Sequence, residues 1–300
     1  MTPPSGEQIE ITRDGQQAVV VEVGGGLRSY AANGRELLDG YGVDSMSTSG
    51  RGQVLSPWPN RLRHGSYEFD GKRNQLPLTE PARHNAIHGL VRWSPWTVAE
   101  RAADRVVVEH VIHPQPGYPF RVALRIEYAL SPAGLAVRST ATNLGDRPCP
   151  YGSGAHPYLT LGTPTIDVTT LCVPATTVLL SDDEGIPTGT APVEGSPYDF
   201  GRPKVIGRTT LDHAFTDLER DEGGIARVEL HHEDRGVALW MDEAYRYLMV
   251  FSGDPLPDVN RRSLAVEPMT CPPNAFSSGE ALVRLQPDEP FTAAWGISPC

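Results

Sequence analysis

Phe120-Arg-Val-Ala-Leu-Arg-Ile-Glu-Tyr-Ala-Leu130 alternates along its whole length. Phe120, Val122, Leu124, Ile126, Tyr128 and Leu130 take one side, with Arg121, Arg125 and Glu127 on the other. A period of two places successive side chains on opposite faces of a half-buried strand. Working outward from this stretch, similar runs occur at 18–23, 106–112, 135–141, 237–241, 247–251, 264–267, 281–285 and 291–297. The breaks between runs contain Pro-Gly, Asp-Gly, Ser-Gly and Asn-Gly, which are turn-forming pairs. No segment sustains an apolar period of 3.6 over three turns. The pattern predicts an all-β fold, an antiparallel sandwich or barrel with very little helix. Gly and Pro punctuate the chain rather than pooling in a linker, so residues 1–300 read as one domain. Residues 182–203, rich in Gly, Pro and Asp, read as a long surface loop.

The 300 residues include 26 Lys plus Arg against 37 Asp plus Glu, a formal charge of −11. An acidic chain without a basic run repels phosphate backbones and anionic lipid, which argues against nucleic acid and membrane partners. The first residues lack a cationic start followed by an apolar run, so no secretory signal is expected. No window is apolar enough to span a membrane. Cys149, Cys172, Cys271 and Cys300 are widely spaced and form no Cys-x-x-Cys pair. A reduced, cytoplasmic chain with no disulfide framework or zinc ribbon is the expectation.

Proton-transfer chemistry is suggested at two places. Glu267 ends the run Leu264-Ala-Val-Glu, sharing a face with the small Ala265, and Pro-Met-Thr-Cys-Pro-Pro follows it. His156 lies in Gly152-Ser-Gly-Ala-His-Pro-Tyr158, where glycines allow close backbone approach and Pro157 disfavours helical geometry at the histidine. A histidine and a carboxylate supply one acid and one base usable near neutral pH. Asn60-Arg61 after Trp58-Pro59, His88 in Asn85-Ala-Ile-His-Gly, and Asp212 in Leu-Asp-His-Ala-Phe complete the set. Read singly, each of these also fits a turn or a satisfied surface group.

Taken in order, these motifs resemble the aldose 1-epimerases, or sugar mutarotases, over nearly the whole chain. The resemblance implies a large antiparallel β-sandwich of the galactose mutarotase-like kind, with the sugar on its concave face. It implies Glu267 as catalytic base and His156 as catalytic acid, with Arg61, His88, Asp212 and Asn60 binding the substrate. Ring opening and reclosure need neither redox chemistry nor a metal, so no cofactor is implied. The partner would be a small-molecule sugar, bound by a monomer or a homodimer. The chain departs from the galactose enzymes after His156-Pro-Tyr, where Leu-Thr-Leu replaces Phe-Asn-Leu, and after His88-Gly, where Leu90 replaces a second glycine. The identity of the sugar therefore stays open.

Arg63, Arg83 and Arg92 lie beside the site motifs and offer cations to a charged sugar such as a hexose 6-phosphate or a sulfonated hexose. A non-catalytic carbohydrate-binding module is a further alternative, although it needs no acid–base pair. A glycoside hydrolase would need two carboxylates, for which only Glu267 and Asp212 are available. His231-His232-Glu233-Asp234 reads as a solvated turn, because adjacent histidines on a strand face opposite ways. Of Trp58, Trp93, Trp96, Tyr151, Tyr158 and Phe276, about two are expected at the ligand and the rest in the core.

Overall fold

The computed structural model describes residues 2–254, 256 and 260–300. The alternating stretch forms the strand Val122–Ser131, paired in continuous register with Arg105–Ile112 on one side and Gly134–Asn143 on the other. Val122, Leu124, Ile126, Tyr128 and Leu130 are all buried, as the alternation requires. These strands belong to a nine-stranded sheet. Its order is Thr97–Arg101, Arg105–Ile112, Val122–Ser131, Gly134–Asn143, Pro290–Pro299, Arg235–Met241, Ala226–His232, Thr170–Cys172, Lys204–Val205.

A second large sheet runs Pro187–Pro192, Ala175–Ser181, Asp212–Leu218, Tyr247–Phe251, Leu264–Met269, Gly154–Ala155, Val54–Leu55. Tyr158–Leu159 also pairs with Leu264–Met269. A smaller four-stranded sheet is formed by Gln8–Arg13, Gln16–Val21, Leu27–Ala32 and Arg35–Glu36. Among the described residues helix is confined to Ala275–Ser278 and two 3-10 turns, Pro81–Arg83 and Ile166–Val168. The fold is an antiparallel β-sandwich.

Parity decides what each face of the second sheet carries. Leu248, Val250, Leu264 and Val266 join the main core with the inner face of the nine-stranded sheet. Tyr247, Met249, Met269 and Ala214 form a separate small cluster. Glu267 is the register partner of Met249, so it lies on this second face, away from the core. A one-residue slip would put Glu267 in the core and Val266 outside it. Burial of a Val or Leu side chain is worth roughly 1.5–3 kcal/mol, so the apolar pattern holds this register.

The structure corrects the sequence reading in detail. Residues 182–203 are not one loop, because Pro187–Pro192 pairs with Ala175–Ser181 as an edge hairpin. Proline is tolerated there because an edge strand leaves one row of backbone groups unpaired. The strand holding Glu267 continues through Pro268 to Met269 instead of ending at the carboxylate. His231 and His232 close the strand Ala226–His232, and the turn begins only after them.

Candidate active site

Three strands present the floor of a cleft of about 550 Å³. Asp212 is the register partner of Phe251, and Ala214, Met249 and Glu267 align across the sheet. Asp212, Met249, Phe251 and Glu267 consequently line the same cleft. Asn60, Arg61, His88 and His156 line it too, so all six site residues expected from the sequence converge there. A larger hollow of about 780 Å³ lies elsewhere, among Arg35, Leu161, Arg235 and Cys300. It contains no paired acid and base, so chemistry rather than size distinguishes the site.

His156 is held from several sides. Its backbone N–H donates to Gln53 O at 3.1 Å, and its carbonyl accepts from Gly52 N–H at 2.9 Å. Its ring stacks on Tyr158, with centroids 5.0 Å apart and planes 11° from parallel. The Tyr158 hydroxyl donates to Ser49 O at 2.8 Å, and the Arg51 guanidinium lies 4.9 Å from the centre of the phenol ring. A Cβ on Gly50, whose φ is +79°, would stand 2.5 Å from His156 Cδ2. Residues 47–53 therefore act as a clamp.

His156 Nε2 lies 3.3 Å from Glu267 Oε1, with both residues buried. Burial lowers the His156 pKa to about 3, with the nearby Arg92, Arg51 and Arg61 acting in the same direction. Burial raises Glu267 well above the usual carboxylate range, and Asp212 adds to this while Arg61 opposes it. Both shifts disfavour charge, so burial favours the neutral pair, with a proton on Glu267 rather than on His156. Glu267 Oε2 and His156 Nδ1 have no hydrogen-bond partner among the described residues. Such buried atoms call for a polar ligand or water.

His88 is fixed by Asn60. The His88 N–H donates to Asn60 O at 2.9 Å, and the Asn60 N–H donates to His88 Nδ1 at 3.2 Å. Both residues adopt left-handed backbone conformations. With Nδ1 accepting, the neutral ring carries its proton on Nε2, and burial keeps His88 neutral. The Asn60 side chain is used locally, with Oδ1 accepting from the Arg61 N–H at 2.8 Å. Asn60 thus supports His88 and Arg61 as well as lining the cleft.

Ligand atoms of His88, His156 and Glu267 come within 4.8 Å of one another, close enough to consider an ion. In His88, however, Nδ1 is occupied by the Asn60 N–H and Nε2 is protonated, so neither nitrogen offers a lone pair. The ring is arranged to donate a hydrogen bond rather than to bind a metal.

The arginines differ in their commitments. Arg61 places Nε 2.9 Å and Nη2 3.1 Å from the two Glu80 carboxylate oxygens. Arg63 is tied to Asp182 and Glu184. Arg83 reaches Asp212 at 3.8 Å. Arg92 bonds only to Gln53 Oε1 at 3.3 Å and Ile87 O at 3.2 Å, and makes no ion pair among the described residues.

Of the six aromatics considered, Trp93 alone lines the cleft, and it is 56% exposed. Tyr158 backs His156, while Trp58, Trp96, Tyr151 and Phe276 are buried in the core. Glu80, Met249, Phe251 and the 47–50 loop were missed from the sequence. The Ser-Gly-Arg-Gly run at 49–52 was the one available signal for the loop. Burial pushes the Cys271 thiol up to about 12, which leaves it unreactive.

Fold and site together define an antiparallel β-sandwich with a buried histidine–carboxylate pair in a cleft. A sequence profile described as aldose 1-epimerase matches residues 7–298, and the chain belongs to that family. It is 33% identical over 294 residues to the uncharacterized protein YihR of Escherichia coli (strain K12), covering 98% of this chain and 93% of that one. The fold is similar to a GalM/aldose epimerase homologue from C. elegans at a TM-score of 0.88 and 19% identity, covering 98% of both chains. It is also similar to a galactose 1-epimerase from Lactobacillus acidophilus at a TM-score of 0.79 and 22% identity, covering 97% of this chain and 94% of that one. Among the described residues no helix is long and apolar enough to cross a membrane.

Proposed function

We propose that this protein is an aldose 1-epimerase that interconverts the α and β anomers of a hexose, with Glu267 as base and His156 as acid. The observation that carries the reading is the buried 3.3 Å contact between them, which is close enough to pass a proton. With the proton on His156, Glu267 removes the anomeric hydroxyl proton while His156 protonates the ring oxygen. The ring opens to the aldehyde, leaving Glu267 protonated and His156 neutral. The C1–C2 bond rotates, and closure on the other carbonyl face reverses both transfers.

Burial serves this cycle. It disfavours the charged pair and so makes Glu267 a stronger base and protonated His156 a stronger acid. Nε2–H of His88 and the Arg61 guanidinium are the donors for oxyanion character in the open form. The test is polarimetry of fresh α-glucose and α-galactose with and without enzyme. Acceleration above the spontaneous rate supports the reading, and none on any aldose sinks it.

A second reading has its own support. Arg92 lines the cleft without a carboxylate hydrogen-bonded to it among the described residues, and an arginine so placed suits an anionic substituent. A hexose bearing a phosphate or sulfonate would then be preferred over the neutral sugar, with the same acid–base chemistry. The same assay on a hexose 6-phosphate and a sulfonated hexose separates the two. A binding module without catalysis is disfavoured, because burying an acid and a base with unpartnered atoms is costly when no reaction uses them.

A further inference from the structure

Glu80 lies on the cleft wall, outside the set of groups assigned to the reaction. Its two carboxylate oxygens grip Arg61 at 2.9 and 3.1 Å, a forked pairing that fixes the plane of the guanidinium. Glu80 is itself braced. Its N–H donates to Asn85 O at 2.9 Å, and the Asn85 N–H returns a bond to Glu80 O at 3.2 Å. The fully buried Asn85 also directs Nδ2 to Glu80 Oε2 at 3.4 Å and to Glu184 O at 2.8 Å. Behind Arg61, a Cβ on Gly185 would stand 2.8 Å from Nη1, so the guanidinium is boxed in on that side as well.

We propose that Glu80 is a positioning residue, which fixes the plane of the Arg61 guanidinium at the cleft and offsets its charge beside the proton-transfer pair. This rests on the reading of His156 and Glu267 as that pair. The charged and titratable groups acting on Glu267 are His156 at 3.3 Å, with His88, Arg61 and Asp212 around it. Of these, Arg61 alone favours the ionised carboxylate. Glu80 sets how strongly that cation is felt. Without its countercharge Arg61 would stabilise ionised Glu267, making the base weaker and loosening the pair's hold on its proton.

Two variants test this. Glu80→Gln keeps the shape and one acceptor but loses the charge, and Glu80→Ala loses both. The pH–rate profile of Glu80→Gln should move toward acid by about half a unit or more. Titration of the Glu267 carboxyl, followed by carbon-13 NMR on the sugar-free protein, should move the same way. Glu80→Ala should in addition raise KM about tenfold, with the Gln variant recovering part of the loss. An unmoved Glu267 titration in a folded Glu80→Gln protein overturns the proposal, whatever the Ala variant does. If the wild-type protein accelerates no sugar, the functional reading fails, while the sugar-free titration still decides the role of Glu80.

Discussion

His156 Nε2 and Glu267 Oε1 stand 3.3 Å apart, the first on a link between two short strands and the second within a strand, both almost sealed from solvent. His156 comes from the short segment after Gly154–Ala155, and Glu267 from the middle of Leu264–Met269. Gly154 pairs directly with Met269, so one ladder contact sets the separation of acid and base. Rigid strands hold such a pair better than loops do.

Glu267→Gln should lower kcat for mutarotation about 10²–10⁴-fold, the usual worth of a positioned proton-transfer group. Sugar binding, measured by calorimetry, should persist, since the amide preserves the shape. A Gln variant with wild-type turnover would remove Glu267 from the mechanism.

His88→Ala should weaken binding and rate together, by about 10-fold or more in kcat/KM, because it deletes a neutral donor. As burial keeps His88 uncharged, the position of the pH–rate profile should change little. Unchanged kinetics would make the ring purely structural.

Gly50→Ala should damage catalysis more than folding. Its Cβ would meet the His156 ring at 2.5 Å, and its φ of +79° is strained for alanine. A stability loss of about 1–2 kcal/mol is expected in denaturant titration, with a larger proportional fall in kcat than in binding.

Stability against pH should carry the signature of the buried pair. In the unfolded chain His156 and Glu267 take ordinary values of 6.5 and 4.5, whereas in the fold the first falls to about 3 and the second rises. Between those ordinary values the two contributions oppose each other, since stability rises with pH through His156 and falls with pH through Glu267. Above 6.5 the His156 contribution is complete, and the slope left to the pair is that of Glu267, whose raised folded pKa makes stability fall as pH rises. Below 4.5 the unfolded state holds two protons against one, and stability falls toward about pH 3. Glu267→Gln should abolish the decline with rising pH and leave the His156 slope unopposed, so that stability falls as pH drops below 6.5. Each slope is at most about 1.4 kcal/mol per pH unit. Urea unfolding of both proteins at about pH 5.5 and about pH 8.5 checks the change of sign.

Arg92→Met should discriminate between the two substrate readings. If an anionic sugar is used, kcat/KM for it should fall by 10-fold or more while that for the neutral hexose changes little. An equal effect on both sugars would place Arg92 in general support of the cleft.

Much of this was legible in the sequence, for physical reasons. The alternation at 120–130 placed a strand and its buried face, because core burial enforces a period of two. The same logic put Leu264 and Val266 on one side and Ala265 and Glu267 on the other, as found. Residues 182–203 were misread because the prolines of an edge strand look like loop punctuation. Glu80 escaped because nothing local distinguishes it, and the 47–50 loop because its Ser-Gly-Arg-Gly run reads equally as an ordinary turn. Their part in the cleft comes from Arg61 and His156, which are distant in sequence from at least one of their partners.

The sequence by itself determined the all-β class, the family motifs and the six residues that converge on one cleft. Tertiary structure alone decided which way burial pushes the two proton affinities. Ordinary pKa values predict an ionised Glu267 and a His156 protonated in mild acid, but desolvation reverses both tendencies. It likewise decided which arginines are available, with Arg61 gripped by Glu80, Arg63 by Asp182 and Glu184, and Arg92 left without a carboxylate among the described residues. Residue identity is written along the chain, whereas burial and charge pairing depend on what the fold brings from elsewhere.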